Sequence, residues 1–252
     1  MKLSILGSGT SMGVPRIGCS CNVCLSNDPK DNRTRASLLI THNRKNILID
    51  TSIDFRIQAL RHNIKRLDAV LFTHHHADHI HGIDDLRAFN LMQKREIPCY
   101  SSPATIKRMK ILFRYIFEKG SYNGLKPELK VIKATRPFKL YGVNIIPIKV
   151  RHGNITILGF RLNDVAYITD CSFIPAASLK LLDGLKVLII GALRREPHPS
   201  HFSIDQAIEV SRGLMPRRTI LTHLGHEFDY KKDNPGLPRA VEFAYDGMEI
   251  KV

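Results

Sequence analysis

The chain has 252 residues, 43% hydrophobic and 24% charged, with 38 Lys and Arg against 23 Asp and Glu for a net charge of +15. That length suits one large α/β domain or two small ones with a substantial core, and the composition excludes disorder, a coiled coil or a fibrous repeat. The longest clean apolar run, Val187 to Leu193, has seven residues, where a bilayer needs roughly 20. Met1–Gly7 starts like a strand and lacks the features of a signal peptide, so the expected setting is cytoplasmic, with no membrane partner.

Taken in chain order, Leu3–Leu6, Ser37–Thr41 and Asn46–Asp50 read as strands, and Asp54–Asn63 as a helix with Phe55, Ile57, Ala59 and Leu60 as its apolar positions. Ala69–Thr73 is a short apolar run of the buried-strand type that ends at a histidine cluster. Thr105–Glu118 has helical spacing, with Ile106, Met109, Phe113 and Phe117 near one face. Val143–Val150, Thr156–Arg161 and Val165–Thr169 are β-rich. Ser178–Leu182, Lys186–Ile190, Ile204–Arg212 and Thr219–Thr222 then alternate helix, strand, helix, strand. Runs of strands in both halves with helices between them predict a layered α/β sandwich rather than a regular βα barrel. No repeat or linker interrupts the pattern, so residues 1–252 are expected to form a single domain.

The positive charge is uneven. Arg87–Arg151 carries 15 Lys and Arg but three acids (Glu96, Glu118, Glu128), a local net of +12. Such a field gathers anionic substrates or nucleic acid; a solvated surface explains it equally well. Lys107, Arg108 and Lys110 place basic groups on the Thr105–Glu118 helix, which is expected to form one wall or lid of a substrate pocket.

The chemistry begins where the Ala69–Thr73 run ends. Thr73-His74-His75-His76-Ala77-Asp78-His79 contains His-x-His-x-Asp-His, the nitrogens and carboxylate that Zn²⁺, Mn²⁺ or Fe²⁺ accept. Four candidate ligands in six residues exceed what one tetrahedral site takes from one loop, which points to two metals. This pattern resembles the metallo-β-lactamase superfamily, and its further motifs follow in order: Val150-Arg151-His152-Gly153, Tyr167-Ile168-Thr169-Asp170 and Ile220-Leu221-Thr222-His223. The resemblance implies a four-layer αβ/βα sandwich of the metallo-β-lactamase type. It also implies one metal on His74, His76 and His152 and another on Asp78, His79 and His223, with Asp170 bridging. Two such ions, Mn²⁺ or Zn²⁺, clamp the attacking and leaving oxygens of a phosphoryl displacement. Asp50, at the end of an early strand, would buttress the ligand loop. Cys171 and Cys99 are expected in the core, and His75 and His81 beside the ligands. Gly7-Ser8-Gly9-Thr10-Ser11 either presents amides to a phosphate or is a plain turn.

Cys19, Cys21 and Cys24 lie within six residues. In a chain with an odd number of five cysteines, such crowding suits a metal better than a disulfide framework. Three thiolates need a fourth ligand; His226 is the best candidate, and a saturated Cys₃His site would hold one structural Zn²⁺. That cysteine loop, following Gly7–Ser11 and joined to the His/Asp set, resembles the PhnP-type phosphodiesterases, which open cyclic phosphates of ribose phosphate. The resemblance implies a metal-dependent phosphodiesterase for a small anionic phosphodiester, with Asp78 and His201 catalytic. His201 would act as general acid or phosphate contact. It is preferred to His198 because it opens a helix whose N-terminal amides would attract phosphate. A tRNase Z-like ribonuclease, or a thioesterase or lactonase of the same superfamily, is the alternative. A homodimer is compatible with the family.

Overall fold

Short runs of Ile, Leu and Val close into two seven-stranded sheets in a computed structural model that describes residues 1–118, 120 and 124–252. The first half of the chain supplies β1 (Lys2–Gly7), β2 (Ser37–His42), β3 (Lys45–Ile49), β4 (Ala69–Leu71), β5 (Pro98–Ser101) and β6 (Glu128–Val131). The second half supplies β7 (Phe138–Leu140), β8 (Val143–His152), β9 (Ile155–Leu162), β10 (Val165–Ile168), β11 (Val187–Gly191), β12 (Arg218–Thr222) and β13 (Val241–Phe243). The last strand, β14 (Glu249–Lys251), returns to the first sheet, giving orders β14-β1-β2-β3-β4-β5-β6 and β13-β12-β11-β10-β9-β8-β7. In each sheet four consecutive strands are parallel: β3 to β6, and β10 to β13.

Side-chain alternation decides which face packs where. Ile47 and Ile49 of β3 point between the sheets with Leu3, Leu38 and Leu71, against Phe160, Ile189 and Ile220 of the second sheet. Leu48, between them, points outward with Val70 and Phe72. That outer face is covered by α1 (Phe55–Arg61), α2 (Ala77–Ile80), α3 (Leu86–Gln93), α4 (Pro103–Leu112) and α5 (Arg114–Phe117), through Phe55, Ile80, Leu86, Met109 and Ile116. The outer face of the second sheet is covered by α7 (Ile204–Leu214), through Ile204, Ala207 and Ile208, beside α6 (Ala176–Leu179). Helix, sheet, sheet and helix make the expected four-layer sandwich. A further short helix, α8 (Tyr230–Asp233), lies outside these layers.

Several boundaries differ from the sequence expectation. The Thr105–Glu118 helix starts earlier, at Pro103 behind the Ser102 cap, and breaks into α4 and α5 at Phe113 (φ −110°, ψ 43°). Phe113 is buried and its ring meets His81 edge-on at 5.5 Å, a tertiary contact that local periodicity does not register. Strands β5, β6, β7, β13 and β14, and helices α2, α3 and α8, have no counterpart in the sequence expectation. Among the described residues, no helix is long and apolar enough to cross a membrane.

Candidate metal centre and active site

Open α/β sheets place ligands beyond the carboxyl ends of their parallel strands, and this chain gathers its chemistry there. Asp50 follows β3, the His74–His79 loop follows β4, Asp170 follows β10 and His223 follows β12; His152 ends the antiparallel β8. Asp50, Asp170 and His223 each adopt φ near +60° (62°, 53° and 58°), a left-handed turn that non-glycine residues rarely take. Such strain recurs at functional sites, and here it turns three side chains off their strand ends. Gly191, on β11 between Asp170 and His223, supplies the clearance. A Cβ there would stand 3.2 Å from the Asp170 amide and 3.7 Å from the His223 Cβ. Gly82 does the same for the ligand loop, because a Cβ would meet the Ser52 carbonyl at 2.2 Å.

All seven His and Asp residues converge. The ligand atoms of His74, His76 and His152 lie within 4.8 Å of one another, as do those of Asp78, His79, Asp170 and His223. Asp170 also groups with His152 and His201 and so stands between the two sets. Two of the imidazoles are aimed by their neighbours. His79 Nδ1–H donates to Asp50 Oδ2 at 2.7 Å, and His152 Nδ1–H donates to the Ser200 carbonyl at 2.7 Å. Asp50 also accepts from the Thr73 amide and hydroxyl, both at 2.8 Å, so the expected buttress is present.

The donor set fits divalent cations. His74 Nε2, His79 Nε2 and both ring nitrogens of His223 are buried without a hydrogen-bond partner, which is costly unless something fills the site. His79 Nε2 lies 3.1 Å from Asp78 Oδ2 and 3.2 Å from Asp170 Oδ1. Burial opposes a charge on His79, but Asp78, Asp170 and Asp50 outweigh it and hold the imidazole well above its ordinary value. Burial would raise Asp170, yet His223 and His79 hold its carboxyl well below the usual range. Burial alone dominates at His74, which is pushed well down. Three buried carboxylates around these imidazoles favour positive charge in the pocket.

His201 completes the centre. Its ring stacks on His223 at 5.0 Å and meets His152 edge-on at 4.6 Å, and its Nδ1 is 3.9 Å from Asp170 Oδ2. Burial, then the neighbouring His223, holds it down to about 3. His198 instead braces the loop by accepting from the Ser200 amide at 3.3 Å. His201 does not open the following helix, however. α7 begins at Ile204 behind a Ser203–Gln206 capping box, and the Ile204 and Gln206 amides are already engaged, by the Arg194 carbonyl and the Ser203 hydroxyl. The Gly7–Ser11 loop is likewise no cradle in its first part. Ser8, Gly9 and Thr10 donate to Asp246, the Thr34 carbonyl and the Leu224 carbonyl.

The second cluster also forms. Cys19, Cys21, Cys24 and His226 bring one ligand atom each within 4.8 Å, with His226 Nδ1 at 3.3 Å from both Cys19 and Cys21 Sγ. The Cys24 amide and His226 pull the Cys21 thiol down to about 6, whereas burial pushes Cys24 up to about 11. All five cysteines are free thiols, and Cys99 and Cys171 are buried in the core. Sequence reasoning missed the buried pair behind this cluster. Arg33 donates to Asp31 Oδ1 at 2.8 Å and to the Gly225 and Phe228 carbonyls at 3.0 and 2.7 Å, fixing the chain around His226. An Arg two residues from an Asp reads as surface, and nothing local marks it otherwise.

A cavity of about 290 Å³ lies between the two clusters. His198 and His201 line it on one side and His226 on another, with Thr10–Gly13, Arg16 and Arg194 completing the wall. The α4 residues Lys107, Arg108 and Lys110 do not line this cavity, whose wall includes the N-terminal loop. Arg108 does lie near enough to reinforce burial in lowering His75. His81 is exposed and touches Phe113.

Comparison with known proteins agrees with this geometry. A family model described as "Beta-lactamase superfamily domain" matches residues 45–224, which include all seven His/Asp residues and His201 but neither the cysteine loop nor His226. A crystal structure described as a new diphosphatase from the PhnP family superposes with a TM-score of 0.93 at 40% identity, covering 99% of this chain and 96% of that one. A Porphyromonas gingivalis protein named octanoyltransferase is 41% identical over 99% of this chain. The chain spans about half that relative's length (51%). Human tRNase Z, short form, shares the fold with a TM-score of 0.74 at 16% identity, over 100% of this chain and 99% of that one.

Proposed function

Since the chain belongs to the beta-lactamase superfamily and, within it, to the PhnP family, we propose that it is a metal-dependent phosphodiesterase for a small or cyclic phosphodiester of the phosphoribosyl type. The observation that carries this reading is the meeting of two ligand groups at Asp170, with His201 packed between His152 and His223. His74, His76 and His152 would hold one divalent ion, Mn²⁺ or Zn²⁺, and Asp78, His79 and His223 the other, with Asp170 shared; Cys19, Cys21, Cys24 and His226 would hold a structural Zn²⁺. Ions bound at the paired site supply Lewis acidity toward the phosphoryl oxygens and activate water at neutral pH.

The protein's own groups set the rest. Asp50 and the Ser200 carbonyl keep His79 and His152 in the Nδ1–H tautomer, so Nε2 faces the site. Asp78, buried beside His79 and His223, stays a carboxylate that orients the attacking water, whose proton is lost to solvent. His201 turns Nδ1 toward Asp170, which leaves Nε2 for the substrate. Its low proton affinity makes it a neutral N–H donor at rest. An arriving phosphoryl anion raises that affinity, so His201 takes up a proton from solvent at Nε2 and passes it to the leaving alkoxide, returning to the neutral imidazole.

A second reading has one observation behind it. The relative with a TM-score of 0.93 is described as a diphosphatase. A diphosphate presents the same doubly substituted phosphorus with a better leaving group, so the same residues serve both.

The test is hydrolysis of bis(p-nitrophenyl) phosphate by metal-stripped protein reloaded separately with Mn²⁺ and Zn²⁺. Metal-dependent turnover is expected. In His201→Ala, kcat should fall by about 10²–10⁴-fold on a diester with an alkoxide leaving group, as for a positioned acid, and far less on bis(p-nitrophenyl) phosphate, whose p-nitrophenolate leaves without a proton, with metal content unchanged. Release of phosphate from a diphosphate, without any phosphodiester cleavage, would select the second reading.

A further inference from the structure

One oxygen of Asp50 governs more than His79. Thr73 leads from β4 into the ligand loop, is fully buried, and has every polar group engaged. Its amide donates to Asp50 Oδ1 at 2.8 Å, and its carbonyl accepts from the Leu158 amide of the opposite sheet at 3.1 Å. Its hydroxyl lies 2.8 Å from Asp50 Oδ2 and 3.0 Å from His74 Nδ1. The same Asp50 Oδ2 stands 2.7 Å from His79 Nδ1.

Proton counting orders these contacts. A hydroxyl has one proton and spare lone pairs, whereas a carboxylate only accepts. The Thr73 proton therefore goes to Asp50, and Thr73 Oγ1 is left to accept from His74 Nδ1–H. That tautomer leaves His74 Nε2 bare, and Nε2 is the ring nitrogen that is buried without a partner. The chain from His74 through Thr73 and Asp50 to His79 thus ends on one imidazole from each ligand group, His74 with His76 and His152, His79 with Asp78, Asp170 and His223. Among the described residues, the threonines that precede the other strand-end ligands make no such link. Thr169 donates to Asp170 itself at 2.6 Å, and Thr222 Oγ1 is buried without a partner. We propose that Thr73 is a positioning residue that passes the tautomer control of Asp50 on to His74, so that one carboxylate prepares a ligand for each of the two ions. This rests on the metal-dependent reading above and assigns within it which side chains prepare which position.

The experiment reads the tautomer first, on the metal-stripped protein. Long-range proton–nitrogen NMR of the imidazoles, with the His74 signals assigned by their loss in His74→Gln, should show the Nδ1–H form of His74 in wild type and in Thr73→Ser. In Thr73→Val, which keeps the shape and removes the hydroxyl, the Nε2–H form should gain population. Zinc is then added back: competition with a chromogenic chelator gives the affinities, and anomalous peak heights in crystals at limiting zinc show which position each belongs to. In Thr73→Val the position beside His74, His76 and His152 should weaken by about 10–100-fold, as for loss of a partner behind a ligand. The position beside Asp78, His79 and His223 should stay within about threefold, and Thr73→Ser should restore both. If the seven residues take up no ion, the hydrolase reading fails while the His74 tautomer still decides the role of Thr73. If Thr73→Val does not fold, the wild-type spectrum decides it. The Nε2–H form of His74 in wild type, a tautomer unchanged in Thr73→Val, or equal weakening of the two positions overturns the proposal.

Discussion

Replacing Asp50 with Asn separates the chemistry of the centre from the stability of the fold. Asp50 is fully buried and accepts three hydrogen bonds, from Thr73 N, Thr73 Oγ1 and His79 Nδ1, at 2.8, 2.8 and 2.7 Å. Its left-handed backbone (φ 62°) suits Asn as well as Asp, so the loop is not disturbed. Burial pushes the Asp50 carboxyl up, with His79 opposing, so removing its charge also removes a desolvation cost. The metal-free variant should therefore unfold within about 1 kcal/mol of wild type, the two effects partly cancelling. Metal affinity should move differently. An amide cannot hold His79 in the Nδ1–H tautomer as a carboxylate does, and Nε2 is then protonated for part of the time. Loss of such a partner weakens metal binding by about 10–100-fold, roughly 1.4–2.8 kcal/mol. Competition with a chromogenic chelator measures the affinity, and urea denaturation of the stripped protein measures the fold. A variant with wild-type metal affinity, or one whose defect appears as unfolding of the metal-free chain, would refute the tautomer argument.

Other outcomes follow from the same structure. Arg33→Met leaves the buried Asp31 carboxylate without its cation and three carbonyls without this donor, so unfolding free energy should drop by about 3–5 kcal/mol; a drop below about 1 kcal/mol in chemical denaturation would contradict this. Cys21→Ser should lower bound zinc by one per chain and lower the melting temperature, while turnover on the paired site persists in what remains folded. Asp68 gives the pH dependence. Burial raises its carboxyl, but Arg66, the Asn46 amide and Lys45 outweigh it, so the folded value lies below the unfolded one. The stability it contributes is present above about pH 4 and lost as pH falls through the folded value. Asp68→Asn should flatten the acid limb of a stability–pH curve; an unchanged limb would show that the ion cluster does not contribute.

The centre was legible because its residues sit where the chain must leave a strand. An apolar run that ends at His74, at Asp170 or at His223 reads the same way in sequence and in space. The left-handed turns at Asp50, Asp170 and His223 could not be read, since Asp and His carry no local mark of positive φ. The fold lost legibility at its edges. Strands β7, β13 and β14 have three residues each, too few for a period of two to stand out, and β5 and β6 lie near Pro98 and Pro127. The helix N-terminus expected at His201 failed for a different reason. Ser203-x-x-Gln206 is a capping box whose side chains engage the Ser203 and Gln206 amides, and the Arg194 carbonyl takes the Ile204 amide, so few are left for a phosphate.

The central claim is that seven side chains hold two ions that share Asp170. Anomalous diffraction at the zinc edge, on crystals of zinc-reconstituted protein, measures this directly. Two peaks about 3.5–4 Å apart are expected, one against His74, His76 and His152 and one against Asp78, His79 and His223, with Asp170 touching both and a third peak inside the cysteine cluster. A single peak among the seven residues, or Asp170 reaching neither ion, would contradict the account.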